Sequence, residues 1–281
     1  MSDRRTESLI GAFTPGWYQV GFSDDVTPGQ LKKVRFFGRT IVLFRTVSGT
    51  VAMLDGVCGH YAFPLARGAV KGECIECPMH GWLWSVEGKV TRIPYFFSGG
   101  YQRRIKSWAP RELGNLIVVW YDPGGSVPTG TEPTEPVGDG PVYSLSAPEP
   151  VTNRSPTQGS LLMSELRYGL PGWGTGLPGH SATTAVRTAV IIPRRDSGPL
   201  AWLRASAGSA AELETRPLGP GFHHARLKVG LLEVTELSAA TPISRESVQR
   251  FSTIRISAAL VAQVGARPIL SALSEHLDSV S

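Results

Sequence analysis

Cys58, His60, Cys77 and His80 stand as C-x-H, sixteen intervening residues, then C-x-x-H. Two thiolates and two neutral imidazoles so arranged suit a [2Fe-2S] cluster of mixed ligation, the cysteines on one iron and the histidines on the other. Exchanging imidazole for thiolate raises the reduction potential to roughly −150 to +300 mV, so the expected chemistry is one-electron transfer. Each loop must send one sulfur and one nitrogen to different irons. A single residue separates Cys58 from His60, and Pro78-Met79 separates Cys77 from His80, which lets the paired side chains diverge. A tetrahedral zinc site uses the same residue types. Zinc loops usually pair Cys with Cys and His with His, whereas each loop here carries one of both, so the cluster is favoured. These four residues are the expected cofactor and metal ligands, and no catalytic residue is assigned.

Short strands and tight turns must carry these loops. Asp55-Gly56 reads as a turn before the first loop and Glu87-Gly88 as a hairpin turn after the second. Strands are expected at Trp17 to Gly21, Lys33 to Phe37, Thr40 to Arg45, Val51 to Leu54, Lys89 to Ile93 and Leu116 to Tyr121. The stretch from Asp122 to Pro141 is almost all turn formers and reads as a linker. Beyond it, Thr183 to Ile192, His224 to Leu237 and Phe251 to Ile256 have strand character. From Ser257 onward, Leu260, Val261, Val264, Ile269, Leu270, Leu273, Leu277 and Val280 recur at helical spacing, with Pro268 interrupting. Residues 154 to 181, rich in Gly, Pro, Ser and Thr, give no element. The expected domains are 1–121 around the cluster, a linker at 122–141, and 142–281 as an antiparallel sheet with a C-terminal helix.

The 281 residues suffice for two modest domains with their own cores. No apolar run approaches the eighteen or so residues of a membrane span. The opening MSDRRTESLIGAF has no long apolar core or small-residue cleavage site, so a cytoplasmic protein is expected. A net charge of +5 without a basic stripe interleaved with aromatics gives no support to nucleic-acid binding. Arg103, Arg104 and Lys106 form either a solvated face or a patch that steers an acidic electron donor. The third cysteine, Cys74, has no second free cysteine to pair with and reads as an idle thiol.

Several flanking residues carry a family likeness. Gly16-Trp17-Tyr18, Leu54 to His60, and Cys77-Pro78-Met79-His80-Gly81-Trp82-Leu83-Trp84, followed by Gly88 and Ile93-Pro94, resemble the Rieske domain of non-haem iron oxygenases. Among these the resemblance is strongest to the oxygenase components of the ketosteroid 9-alpha-hydroxylases. Later, Thr241-Pro242-Ile243 with Glu246 and Arg250-Phe251 is similar to a late strand region of that group's catalytic domain. The likeness is specific over residues 16 to 121 and weak beyond. It implies a mostly β Rieske domain followed by a divergent α+β, helix-grip-like domain with a C-terminal helix. Respiratory Rieske proteins brace their loops with a disulfide at positions held here by Phe63 and Met79, so the likeness is to the unbraced branch. Trp82 and Trp84 favour an oxygenase over a stand-alone ferredoxin, although plain core packing accounts for them equally well.

The resemblance implies an electron donor, either a ferredoxin or a flavin reductase, and a hydrophobic polycyclic, steroid-like substrate. It also implies a homotrimer and a mononuclear Fe(II) held by two histidines and a carboxylate. That second iron is in doubt. The family carries its histidines as D-x-x-H with another His four or five residues on, and no histidine here has Asp three residues before it. The remaining histidines are His180, His223, His224 and His276, and Asp278 stands roughly where the family keeps its carboxylate. An alternative follows, in which the chain is an electron carrier or an inactive paralogue. A divergent insert, a deletion or a shifted reading frame within residues 154 to 181 would each account for the missing motif.

Overall fold

The computed structural model describes residues 13–95, 102–150, 186–191 and 210–265. They are built almost entirely of strands and fall into two compact units. One takes in Gln19–Pro128 and Pro242–Arg245; the other takes in Gly16–Tyr18, Thr129–Thr241 and the chain from Glu246 on.

In the first unit, β1 (Gly16–Phe22), β2 (Leu31–Phe36), β3 (Arg39–Arg45) and β4 (Val51–Asp55) carry the branched and aromatic residues that suit a pleated surface. Strands β2, β3 and β4 form one antiparallel sheet. Four strands of three residues each follow, β5 (Ala69–Lys71), β6 (Cys74–Glu76), β7 (Leu83–Ser85) and β8 (Val90–Arg92), in a second sheet. A third sheet orders β1, β10 (Leu116–Tyr121) and β9 (Arg111–Leu113). Between the first two sheets lies a core that includes Val42, Phe44, Leu54, Leu65, Ile75 and Trp84, together with Cys58 and Cys77. The expected hairpin turn is present: Gly88 has φ +73 and donates to Ser85 O at 2.9 Å. Strands β5, β6, β7 and β9 escape the sequence reading because three residues are too few to show alternation.

The second unit is one antiparallel sheet of six strands. Its order is β11 (Val142–Pro150), β16 (Ser247–Ile256), β15 (Leu232–Pro242), β14 (Phe222–Val229), β13 (Ala210–Pro217), β12 (Val186–Ile191). The single strand expected over His224 to Leu237 is instead two strands joined at Gly230-Leu231. Gly230 takes φ +60 and Leu231 is exposed, so a tight turn sits inside what reads as one apolar run. Ala225, Leu227, Val234 and Leu213 lie buried at positions that the register aligns on one face. The opposite face carries the pair Arg226 to Glu233 at 2.6 Å.

Residues 122–141 contain no strand or helix. They are nonetheless held. Asp122 accepts from Gly124 N and Ser126 N, and Arg255 donates to the carbonyls of Pro136 and Gly140. The C-terminal helix begins as expected, α1 (Ala258–Val264), capped by Ser257 Oγ. It closes at Gly265, φ +82, whose N–H donates to Val261 O, and Pro268 lies outside the described residues. The apolar periodicity from Ile269 onward lies outside the described residues, as do residues 154 to 181.

Candidate metal centre

Two loops project from adjoining strands, one between β4 and β5 and the other between β6 and β7. They share one backbone design. Cys58 N–H donates to the carbonyl of Phe63, five residues on, and Cys58 O accepts from Ala62, four residues on. Cys77 N–H donates to Trp82 O and Cys77 O accepts from Gly81, at the same two offsets. The fourth residue after each cysteine is left-handed, φ 54 at Ala62 and φ 69 at Gly81. The same tight loop thus occurs twice, and each presents one sulfur and one imidazole. Gly56 lets the first loop start, since its N–H bonds Thr40 O and a Cβ there would come 2.9 Å from that oxygen. Asp55 is anchored by Arg39 at 3.2 Å and by Trp108 Nε1 at 3.1 Å.

The loops bring all four ligand residues of the sequence reading into one neighbourhood. Cys58 and Cys77 are 3% and 2% exposed. Burial, reinforced by Cys77, pushes the Cys58 thiol up, while the His60 backbone and the Trp84 indole pull toward the thiolate. The His60 and His80 rings sit edge to face at 4.9 Å, and His60 stacks on Trp82 at 4.3 Å with the planes 9° apart. Partial burial, then His80 and Arg103, hold His60 below the usual histidine range, which favours the neutral imidazole that metals bind.

The fit to a two-iron cluster is carried by His60 Nδ1. It is buried and makes no hydrogen bond among the described residues. Such an atom needs a partner, and metal ligation supplies one. Among the described residues no three His, Cys, Asp or Glu side chains converge on a single point, as a mononuclear zinc site would require. Pairs suit a cluster in which each iron takes only two protein ligands.

Tyr61 and Tyr95, which the sequence reading missed, lie close to the pair. Tyr61, 72% exposed, lies 4.0 Å from the His60 ring and 5.8 Å from that of His80. Tyr95 accepts from Trp82 Nε1 at 2.7 Å and so fixes the indole on which His60 stacks. Arg103 donates to Gly59 O between Cys58 and His60. Lys106 lies 4.0 Å over the Trp108 ring. Arg103, Arg104 and Lys106 are all exposed. Cys74 is free and contacts Thr91 Oγ1 at 3.4 Å. His223 and His224 are neighbours on β14, paired in register with Ser238 and Leu237. Such neighbours point to opposite faces of a sheet, as expected. His180, His276 and Asp278 lie outside the described residues.

Comparison with known proteins agrees with this geometry. The family model for the Rieske [2Fe-2S] domain matches residues 16–108. The oxygenase component of 3-ketosteroid-9-alpha-monooxygenase from Rhodococcus rhodochrous is 36% identical over 117 residues, 42% of this chain and 31% of that protein. Cholesterol 7-desaturase nvd 1 from Ciona intestinalis is 37% identical over 123 residues, 43% of this chain and 26% of that protein. The match thus spans about three tenths of the length of these relatives. The crystal structure of apo dicamba monooxygenase superposes with a TM-score of 0.63 at 15% identity, covering 94% of this chain and 85% of that one. The terminal oxygenase of carbazole 1,9a-dioxygenase from Nocardioides aromaticivorans gives 0.57 at 13% identity, covering 98% and 82%. Residues 16–108 match the Rieske [2Fe-2S] domain, and the fold is similar to those of dicamba monooxygenase and of the carbazole 1,9a-dioxygenase terminal oxygenase.

Proposed function

We propose that this chain is the terminal component of a Rieske oxygenase system, acting on a hydrophobic polycyclic substrate of steroid type. A ferredoxin or flavin reductase is the electron donor in this reading. Cys58, Cys77, His60 and His80 would hold the cluster, which when bound supplies one-electron redox chemistry. The observation that carries the reading is the duplicated loop, which sets two buried thiols beside two neighbouring imidazoles with His60 Nδ1 unpartnered.

The chain's own residues have definable tasks. The paired loops exclude water from the sulfurs, and Trp82, held by Tyr95, fixes the plane of His60. Arg103 locks the peptide between Cys58 and His60 through the Gly59 carbonyl. His80 is exposed and gives the cluster an edge that a donor or acceptor can reach. The likeness of residues 16–121 to ketosteroid oxygenase components supports the substrate class. Purified protein, supplied with NADH, a reductase and a ferredoxin, is expected to consume oxygen in a steroid-dependent manner. Absence of that consumption, with only two irons per chain, would overturn the reading.

One observation favours a second reading, as electron carrier or inactive paralogue. Nowhere in the 281 residues does a histidine follow Asp at the D-x-x-H spacing the family uses for its mononuclear iron. A third iron per chain decides against this alternative.

A further inference from the structure

Trp84 on β7 is fully buried, and its ring lies against the first ligand loop. A Cβ built on Gly59 would come 2.8 Å from Trp84 Cη2 and 3.4 Å from Cζ2. The side chain belongs to the same core as both cysteines. Its indole N–H, however, is buried without a hydrogen-bond acceptor. Buried donors are nearly always satisfied, so a lone one next to a cofactor site calls for an explanation. Trp82, two residues earlier, has a protein acceptor for its own N–H in Tyr95 Oη. Trp84 has none among the described residues.

The geometry points to Trp84 Nε1–H as a hydrogen-bond donor reserved for a sulfur of the cluster, which makes Trp84 a potential-setting residue of this centre. The inference rests on the ligand set proposed above. Sulfur carries more negative charge when the cluster is reduced, so a donor aimed at it stabilises the reduced form more than the oxidised form and raises the potential. Trp84→Phe keeps an aromatic ring in the core and removes the N–H.

The test is a redox titration of the full chain followed by electron paramagnetic resonance. At the potential where the unmodified protein is half reduced, Trp84→Phe is expected to lower the ratio of reduced to oxidised cluster by about tenfold, or about 59 mV for one electron. The imidazole-linked pH dependence of the potential should remain. An unchanged or higher potential at full cluster content overturns the role of Trp84. Should Trp84→Phe fail to fold, replacing Trp84 with benzothienylalanine, which has sulfur in place of the N–H, is read by the same two outcomes. Absence of a Rieske signal in the unmodified protein would overturn the ligand set itself, a result distinct from either.

Discussion

His60 shows how a single residue carries several demands. Its ring is oriented by Trp82 and His80, its charge is suppressed by burial and by Arg103, and its Nδ1 has no partner in the protein. Replacing His60 or His80 with Ala is expected to abolish the Rieske paramagnetic signal, because each imidazole would be a direct iron ligand; an unchanged signal in either variant refutes the assignment. Ala62 offers a separate check on the loop. Its φ of 54 is left-handed, whereas the equivalent place in the second loop is Gly81. Ala62→Gly should therefore be neutral or stabilising by up to about 1 kcal/mol, and Ala62→Val destabilising by about 1–3 kcal/mol, as read from denaturant midpoints. The candidate ligands could be named from the sequence because ligand chemistry is set by residue type and local spacing. Tyr95 could not, since its contact with Trp82 exists only once β7 and β8 have paired.

At the scale of elements, one buried cation ties the sheets together. Arg45, at the end of β3, donates to Val26 O at 2.8 Å and Gly49 O at 2.9 Å, and grips both oxygens of Glu112 on β9 at 2.7 and 3.1 Å. Its hydrogen bonds hold the Glu112 carboxyl below the ordinary range, against partial burial. The ionised form is thus favoured by folding, and the stabilisation is present above the unfolded-state pKa of about 4.3 and lost as pH falls through the lower folded value. Glu112→Gln should cost about 1 kcal/mol near neutrality after allowing for solvent screening, and almost nothing once the pH has fallen below the folded value, as followed by thermal unfolding. Gly88 tests the hairpin that backs the second loop. A Cβ there would fall 2.2 Å from Ile105 O at φ +73, so Gly88→Ala should cost about 2–4 kcal/mol and lower the cluster content. Long strands with branched residues were readable in the sequence. The hairpin of β14 and β15 was not, because Gly230 alone does not mark a turn inside an apolar run.

For the whole molecule, the decisive measurement is iron per chain. Two irons with a Rieske spectrum fit a cluster alone, whereas three fit a cluster with a mononuclear centre; quantitative iron analysis with spin quantitation separates them. Among the described residues no helix is long and apolar enough to cross a membrane. The sequence by itself determined the cluster chemistry and the longer strands of the first unit, because residue identity, turn propensity and local spacing act over a few residues. Only the tertiary structure decided that the two ligand loops are the same loop used twice. It alone showed that His60 Nδ1 and Trp84 Nε1 are buried without protein partners, and that residues 142–150, 186–191, 210–242 and 247–256 pair into one six-stranded sheet. These depend on hydrogen bonds and packing between residues far apart in the chain, whose partners no local pattern specifies.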